Sequence, residues 1–479
     1  MSFINIIGKK TLILFTGLLS VTSSCKKFID TDGPITSISG KNVYDNDATS
    51  IAVLTGIYTK ISQSSVQYGG SDFSSIGYIT GLLSDELTLY IGNTDPTLAS
   101  YYENAMSSRL QNSSFWNTIY NRIYIVNSAI EGLNNAKNLT ESIRVQLMGE
   151  AKFIRALCYF YLVNLYGDIP LVTSPDYTVN MSLSKSPQGR VWAQIILDLT
   201  DAKKQLSANF LDATLLVKTD ERVRPTQWAA IALLARSYLY TKDWDNAEKE
   251  ASILIEQSDL FAIEPLNNEF KKNNREAIWQ LQPVLRGWNT EDAKAYIIPK
   301  EYGPNGASGV YISTYLLNAY EVNDKRKSQW LDSIEFAGTI YPFAYKYQLN
   351  SYGQSVNEYN TVLRLSEQYL IRAEARANLE NFPGALEDIK KIREKAGLTN
   401  ITFTTKTEIL SAILHERQVE LFTEYGHRWF DLKRTNNINT VMNRVTADKG
   451  GNWTPNGQWF PIPFYDTQTN TNIQQNPGY

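Results

Sequence analysis

The sequence predicts an all-α protein in which tetratricopeptide-like helical pairs are joined to a loop-rich half. Three observations lead there. Apolar residues recur at three- and four-residue spacings over long stretches of the chain. Two of those stretches come as paired segments, with small residues where the two helices must approach. Between the pairs, residues 265–360 lose the helical period and gain glycines and aromatics.

The first segment is an address rather than a structural element. Lys9 and Lys10 precede an apolar run from Thr11 to Val21, and Thr22-Ser23-Ser24 lead into Cys25. A run of about eleven residues is too short to span a bilayer, and it reads as a secretory signal. A cysteine directly after small residues predicts a lipoprotein signal over 1–24, with Cys25 the lipidated residue and 25–40 a tether. Two or more acyl chains anchor a protein stably.

The first mature helix is expected from Asp47 through Ile61, with Ile51, Leu54, Ile57 and Tyr58 in register. Residues 63–80 are rich in Ser, Gly and Tyr and read as a loop. Phe115 to Lys137 carries Trp116, Ile119, Tyr120, Ile123, Val126, Asn127 and Ile130 on one face. Glu141 to Tyr166 follows and stops at Gly167-Asp168-Ile169-Pro170, where Gly and Pro end helices for backbone reasons. A further helix covers Gln188 to Leu206.

The first pair is Thr226–Thr241 with Trp244–Gln257, joined by a tight Lys242-Asp243 turn; Ala235 and Ala247 are its small contact residues. The second is Leu365–Asn378 with Pro383–Ala396, carried by Ala373, Ala385, Ile389 and Ile392. The pairs are not tandem, so no simple solenoid results. A helix from Lys406 to Tyr425 comes next, and the tail from Trp453 to Tyr479 shows no helical period.

Composition narrows the function. The 479 residues carry a net charge of −3 with no basic stripe, which argues against nucleic acid. There are 29 tyrosines and 10 tryptophans, enough for a large core and for exposed stacking faces. Of the two cysteines, Cys158 sits in an apolar helical run and reads as packing. Enzyme motifs are missing. His415-Glu416 opens like a zinc-protease motif, but Val419 stands where the second His belongs. No Cys/His cluster has zinc spacing, no glycine-rich loop ends in Lys-Ser/Thr, and Gly306-Ala307-Ser308-Gly309 lacks nucleophile-elbow spacing. His427 reads as structural. Paired acids such as Asp85-Glu86 leave glycoside hydrolysis formally open. The expectation is a non-enzyme without cofactor, metal site or catalytic residues.

Several collinear stretches carry a resemblance. They include Trp116-Asn117-Thr118-Ile119-Tyr120 with Asn127, Glu150-Ala151-Lys152-Phe153-Ile154-Arg155-Ala156, and Leu165-Tyr166-Gly167-Asp168-Ile169-Pro170. Arg224-Pro225-Thr226, Arg372-Ala373-Glu374-Ala375, Glu416-Arg417 with Glu420 and Glu424, Gly426-His427-Arg428-Trp429-Phe430-Asp431, and Gln475-Asn476-Pro477-Gly478-Tyr479 complete the set. At these residues the chain resembles the SusD/RagB family of outer-membrane nutrient-binding lipoproteins. The resemblance implies one helical domain over 41–479, with 265–360 as a loop-rich insertion. It also implies a nutrient ligand, most often an oligo- or polysaccharide, and a SusC-like TonB-dependent transporter as partner. Lipid anchoring in the outer membrane, facing outward, comes with it. Peptide or glycopeptide cargo, or a protein scaffold without small ligand, stays open. Lys26-Lys27 after the lipid cysteine departs from the acidic residues that many members carry there.

The charged motif residues, among them Arg372, Glu374, Glu416, Arg417, Glu420, Glu424 and Arg428, are read as fold-holding, because three- and four-residue spacings let neighbours pair. The ligand site is sought instead in aromatic loops, since a sugar needs flat rings for its faces and polar groups for its hydroxyls. One such region holds Tyr68, Asp72, Tyr90 and Asn93, with Asp95 and Tyr101 nearby. The other holds Arg286, Trp288, Asn289, Tyr296 and Tyr311, with Tyr302 between them. Trp288, flanked by Arg286, Gly287 and Asn289, is the single favoured residue.

Overall fold

The computed structural model describes residues 43–63, 73–110, 115–305 and 309–479; Cys25, Tyr68 and Asp72 lie outside the described residues. Helices dominate. In chain order they begin with α1 (Asp47–Ser62) and α2 (Phe73–Leu83), then strand β1 (Leu87–Leu89), α3 (Pro96–Tyr102), α4 (Phe115–Asn135) and α5 (Glu141–Tyr166). Next come α6 (Tyr177–Asn180), α7 (Gln188–Gln205), α8 (Gln227–Tyr240) and α9 (Trp244–Ile255). Residues 265–360 hold most of the short strands, which lets short helices alternate with them. These are β2 (Ala277–Leu281), α10 (Glu291–Tyr296), β3 (Val310–Ile312), α11 (Thr314–Ala319), α12 (Lys325–Gln329), β4 (Leu331–Phe336) and β5 (Thr339–Ala344). The chain continues through β6 (Asn360–Arg364), α13 (Leu365–Asn378), α14 (Phe382–Lys395), α15 (Lys406–Glu420), α16 (His427–Arg434), α17 (Ile438–Asp448) and α18 (Phe464–Thr469).

The predicted helices form where the apolar period placed them, and local chemistry sets their ends. Asn46 caps α1 through its side chain, and Gly167 ends α5 with a φ of +78° that few other residues adopt at low cost. α5 is the central element: nearly all of its residues from Gln146 onward are buried, Cys158 among them. It packs against α4, α7 and α1, and α7 leads on to α8, α9, α13, α14 and α15 in succession. The two predicted pairs, α8–α9 and α13–α14, thus lie side by side, with Ala235, Ala247, Ala373 and Ala385 fully buried where they meet.

Three expectations change. Residues 73–80, read as loop, belong to α2. Their glycines mark tight packing rather than a turn: a Cβ on Gly77 would lie 2.3 Å from the Thr423 carbonyl oxygen, and one on Gly81 would lie 2.8 Å from the Leu87 side chain. The helix expected to reach Tyr425 stops at Glu420, and α16 and α17 follow it. The tail, expected to lack helix, contains the short α18.

The charged motif residues do hold the fold, but few pair with helix neighbours. Arg364, at the end of β6, donates to Glu269 (2.5 Å), Glu420 (2.7 Å) and Glu424 (2.7 Å). Lys395 on α14 meets Glu269 (2.8 Å) and Glu420 (2.6 Å), and Arg326 on α12 meets Asp324, Glu416 and Glu420. Arg428 holds Asp85, Arg417 holds Asp431, and Arg236 holds Glu367, all with both partners buried. Arg372 and Glu374 pair with Asp388 and Arg434. The Arg364, Lys395 and Arg326 bonds tie the helical half to the loop-rich half, and the others tie helices or segments outside it to one another. Their value is geometric: ions this deep fix relative positions at a desolvation cost that their attraction largely offsets.

Candidate functional site

The β1–β3 ribbon brings the two sequence-predicted aromatic regions together. It is antiparallel, with Leu87 opposite Ile312, Thr88 opposite Tyr311 and Leu89 opposite Val310. Strand residues alternate between faces. Leu87, Leu89, Val310 and Ile312 are buried in the core, so Thr88, Tyr90 and Tyr311 share the outer face. The Tyr90 N–H donates to the Gly309 carbonyl (2.7 Å), extending the pairing by one rung.

A third ring completes the face. Tyr341, on the β4–β5 hairpin, stands edge-on to Tyr311 (centroids 5.3 Å apart, 84° between planes) and to Tyr90 (5.9 Å, 79°). The edge-to-face arrangement suits the ring quadrupoles and holds the three rings as one ledge. Beside it, Asn93 accepts from the Asp95 N–H (2.9 Å), which turns its amide nitrogen the other way. That nitrogen is buried without a hydrogen-bond partner. A buried donor left unmet costs about 1–3 kcal/mol, which a turn of this side chain toward an oxygen outside the chain would relieve. Gly309 lets the chain approach closely here, since a Cβ would come within 2.6 Å of that same nitrogen and 2.9 Å of the Asn305 carbonyl oxygen.

Tyr311 also walls a cavity of about 310 Å³, whose other sides come from Thr88, Tyr102, Tyr315, Asn318, Arg444 and Asp448. Tyr315 hydrogen-bonds Asp448, and the Arg444 guanidinium lies 4.9 Å above the Tyr315 ring. Burial and the neighbouring Tyr341 push the Tyr311 phenol up, so it stays a hydrogen-bond donor at neutral pH. Lys449 lies under this cavity, 5.0 Å from the Tyr102 ring centre, and donates to the Leu82 and Leu83 carbonyls. Burial brings its pKa down to about 7.

The remaining sequence-predicted residues fall elsewhere. Asn289 and Tyr296 are buried. Asn289 uses both ends of its amide on the backbone of Ser355, Asn357 and Glu358, and Tyr296 packs on Tyr78 at 5.9 Å. Tyr101 is buried against Phe460. Trp288 is half-buried, with Lys294 5.1 Å from its ring centre and Tyr352 at 5.9 Å; Arg286 is exposed beside it. The depression at Asn289 encloses only about 10 Å³. Tyr341, Tyr102, Arg444 and Asp448 were missed by sequence reading. Tyr341 could have been found from the Tyr341-Pro342-Phe343 run in a glycine-bounded hairpin.

Of the acids and histidines weighed for enzyme chemistry, Asp85 and His415 have bonded partners and His427 lies among buried arginines, whereas Glu86 Oε1 is buried without a hydrogen-bond partner. Burial pushes the Asp85 carboxyl up, but the bidentate Arg428 guanidinium (2.7 and 2.8 Å) outweighs it and holds the group below its usual value. Glu86 is fully buried, its pKa raised to about 8 by that burial and by Asp85. Burial first, and then Arg236 and Arg417, keep His427 neutral. His415 Nε2 lies 2.7 Å from the Ala319 carbonyl. Two groups of three possible metal ligands exist among the described residues, Glu321/His415/Glu416 and Glu269/Glu276/Glu420. Arg393 and Arg326 fill the first, and Lys395 and Arg364 fill the second.

Comparison with known proteins decides the family. The model of the SusD family matches residues 332–479, and a second model, described as starch-binding associating with outer membrane, matches residues 42–239. The chain belongs to the SusD/RagB family. A SusD-like protein of Formosa agariphila is 23% identical over 96% of this chain and 97% of its own length. A SusD superfamily protein from Bacteroides vulgatus covers 91% of this chain and all of its own, with a TM-score of 0.76 at 20% identity. A laminarin-binding SusD-like protein does so with a TM-score of 0.73 at 22% identity. The mostly helical fold is therefore the SusD fold. No described helix is long and apolar enough to cross a membrane.

Proposed function

We propose that this SusD-family chain is a glycan-binding lipoprotein of the outer membrane, anchored through Cys25 and facing outward. It captures an oligo- or polysaccharide on the Tyr90–Tyr341–Tyr311 ledge and passes it to a SusC-like TonB-dependent transporter. The observation that carries the site is the ledge itself: three locked rings beside the unpartnered Asn93 amide, opening onto the cavity behind Tyr311. Apolar ring faces take the carbon face of a pyranose, and the amide takes a ring or hydroxyl oxygen. This is the usual pocket plan of apolar lining with a few placed polar groups. The relative described as laminarin-binding supports a carbohydrate ligand.

The same reading makes the protein a binder that leaves its cargo intact. Asp85 is held by Arg428 and Glu86 lies in the core, so neither acid of the pair stands free beside the ledge. The test is an array of oligosaccharides and peptides probed with the purified protein, followed by product analysis of any ligand found. Glycan hits without turnover support the proposal. Peptide hits alone would move the cargo to another class, and released sugars would make the protein a hydrolase.

A further inference from the structure

A second concave surface lies away from the ledge, where α4, the segment after α5 and the C-terminal tail meet. Its floor is a helical stripe. Trp116, Tyr120 and Tyr124 sit at i, i+4 and i+8 of α4 and share one face. Trp116 and Tyr120 pack at 4.8 Å, and the Tyr120 hydroxyl donates to the Pro170 carbonyl (2.7 Å). The stripe then runs out of core: Tyr124 is 54% exposed. One wall carries Pro175, Tyr177 and Met181, with Tyr177 74% exposed. The other carries Asp466, Asn470 and Ile473. The enclosed volume is about 520 Å³, inside the range of small-ligand sites.

The walls are preassembled. The Asn470 amide donates to the Leu183 carbonyl (2.9 Å), the Asn472 amide to Ser182 (2.9 Å), and Lys185 to Asn476 (2.7 Å). These bonds also set the polarity of the lining. Asn180 spends its amide nitrogen on the Ser174 carbonyl (2.8 Å), and Asn470 spends its own on Leu183. A carbonyl can be met only by the nitrogen end of an amide. Each side chain keeps its oxygen and one N–H for a ligand, although the Asn470 oxygen also takes the Asn472 N–H (3.0 Å). Asp466, bonded by the Trp116 indole, adds carboxylate oxygen and is the one charged residue in the lining among the described residues.

We infer that this groove is a second carbohydrate site, selective for neutral glycans. Two exposed tyrosine rings supply platforms for pyranose faces. The Asp466 carboxylate and the amide groups of Asn180 and Asn470 match a ligand rich in hydroxyls. A sulfated or uronic-acid chain would set its charge against Asp466 and the amide oxygens with no cation to meet it. The site stands on its own lining and does not depend on the ledge.

The experiment uses four forms of the protein: native, Tyr90→Ala/Tyr341→Ala, Tyr124→Ala/Tyr177→Ala, and all four changes together. Each is probed with neutral glucans (laminarin and soluble starch oligosaccharides) and with alginate and sulfated galactan oligosaccharides on one array. Hits are titrated by calorimetry, and thermal unfolding checks that each form is folded. Tyr124 and Tyr177 are exposed, so their loss should leave folding unchanged. The expected result is neutral-glycan binding that survives in the ledge variant, weakens about tenfold when the groove pair is lost, and never extends to the anionic probes at this site. Loss of all binding in the ledge variant, with a native profile for the groove variant, would overturn the groove and leave the ledge standing. Loss of all binding in the groove variant alone would uphold the groove and overturn the ledge. Anionic binding that depends on Tyr124 and Tyr177, or no glycan binding by the native protein, would overturn the inference as well.

Discussion

Replacing Arg364 by methionine removes the cation on which the loop-rich half converges. Its side chain is 2% exposed and donates to Glu269, Glu420 and Glu424, with a further bond to the Glu420 carbonyl (3.0 Å). Each of those carboxylates keeps at least one other cation: Lys395 for Glu269 (2.8 Å), Lys395 and Arg326 for Glu420 (2.6 and 2.9 Å), and Lys346 for Glu424 (2.5 Å). Glu276 is a fourth partner (3.3 Å), so the loss is that of one member of a buried network and not the sum of its pairs, about 3–5 kcal/mol. Methionine preserves much of the apolar stem packing, so a cavity adds little. The pH dependence follows in sign. Burial and then the neighbouring Glu276 already hold the Glu269 carboxyl well above its ordinary value, and loss of the Arg364 charge pushes it further up. Such groups contribute stability below the unfolded pKa and lose it as pH rises through the folded one. The variant should thus lie closest to native at acid pH and furthest from it at pH 8. Urea unfolding followed by tryptophan fluorescence measures this, with Arg144→Met as control. Arg144 pairs with Glu141 at the surface, where such a pair contributes about 0–1 kcal/mol. If Arg364→Met costs no more than Arg144→Met, or costs more at acid pH than at pH 8, the network does not hold the two halves together.

Three further outcomes are expected. Gly77→Val should destabilise the fold by about 1–3 kcal/mol or more, because the new Cβ would lie 2.3 Å from a backbone oxygen that cannot move aside; a urea midpoint equal to native would show that α2 does not press on Thr423. The Lys449 side chain should titrate near pH 7 in a 13C-labelled sample, and since the unfolded chain keeps that proton up to its ordinary pKa of 10.5, this residue's contribution to stability should grow as pH rises from 7; a midpoint above 9 would contradict the burial. Cys25→Ser should move the protein from the membrane fraction to the soluble fraction of fractionated cells, and full membrane retention would refute the lipid anchor.

Much of the scaffold was legible because its helices obey an apolar period. α5, ended by Gly167, could be placed closely, and the alanines of α8–α9 and α13–α14 announced close helix packing. α2 was not legible: Ser75, Gly77 and Gly81 are turn residues by composition and gain their helical role only against Thr423 and Leu87. α16 escaped for another reason. Its buried residues include His427, Arg428 and Asp431, so an apolar period cannot reveal a face that is ionic. The partners that allow this burial are far off in sequence, as with Arg428 and Asp85, 343 residues apart. The site was legible in parts. Tyr90, Asn93 and Tyr311 stood out as loop aromatics and amides, but three-residue strands carry too short a pattern to announce that Thr88 would face Tyr311. Asn289 and Tyr296 have the composition of ligand residues and spend it on the protein's own backbone and core.

The most direct test of the central claim is a calorimetric titration of the purified protein with the glycan selected from the array, repeated with Tyr341→Ala and with Asn93→Ala. Tyr341 braces both Tyr90 and Tyr311, so its loss should weaken binding about tenfold or more while thermal unfolding shows an intact fold. Asn93→Ala should also weaken binding, and thermal unfolding separates that effect from the loss of the bond its amide oxygen accepts from the Asp95 N–H. Unchanged affinity in both variants, with the fold intact, would place glycan capture somewhere other than the ledge.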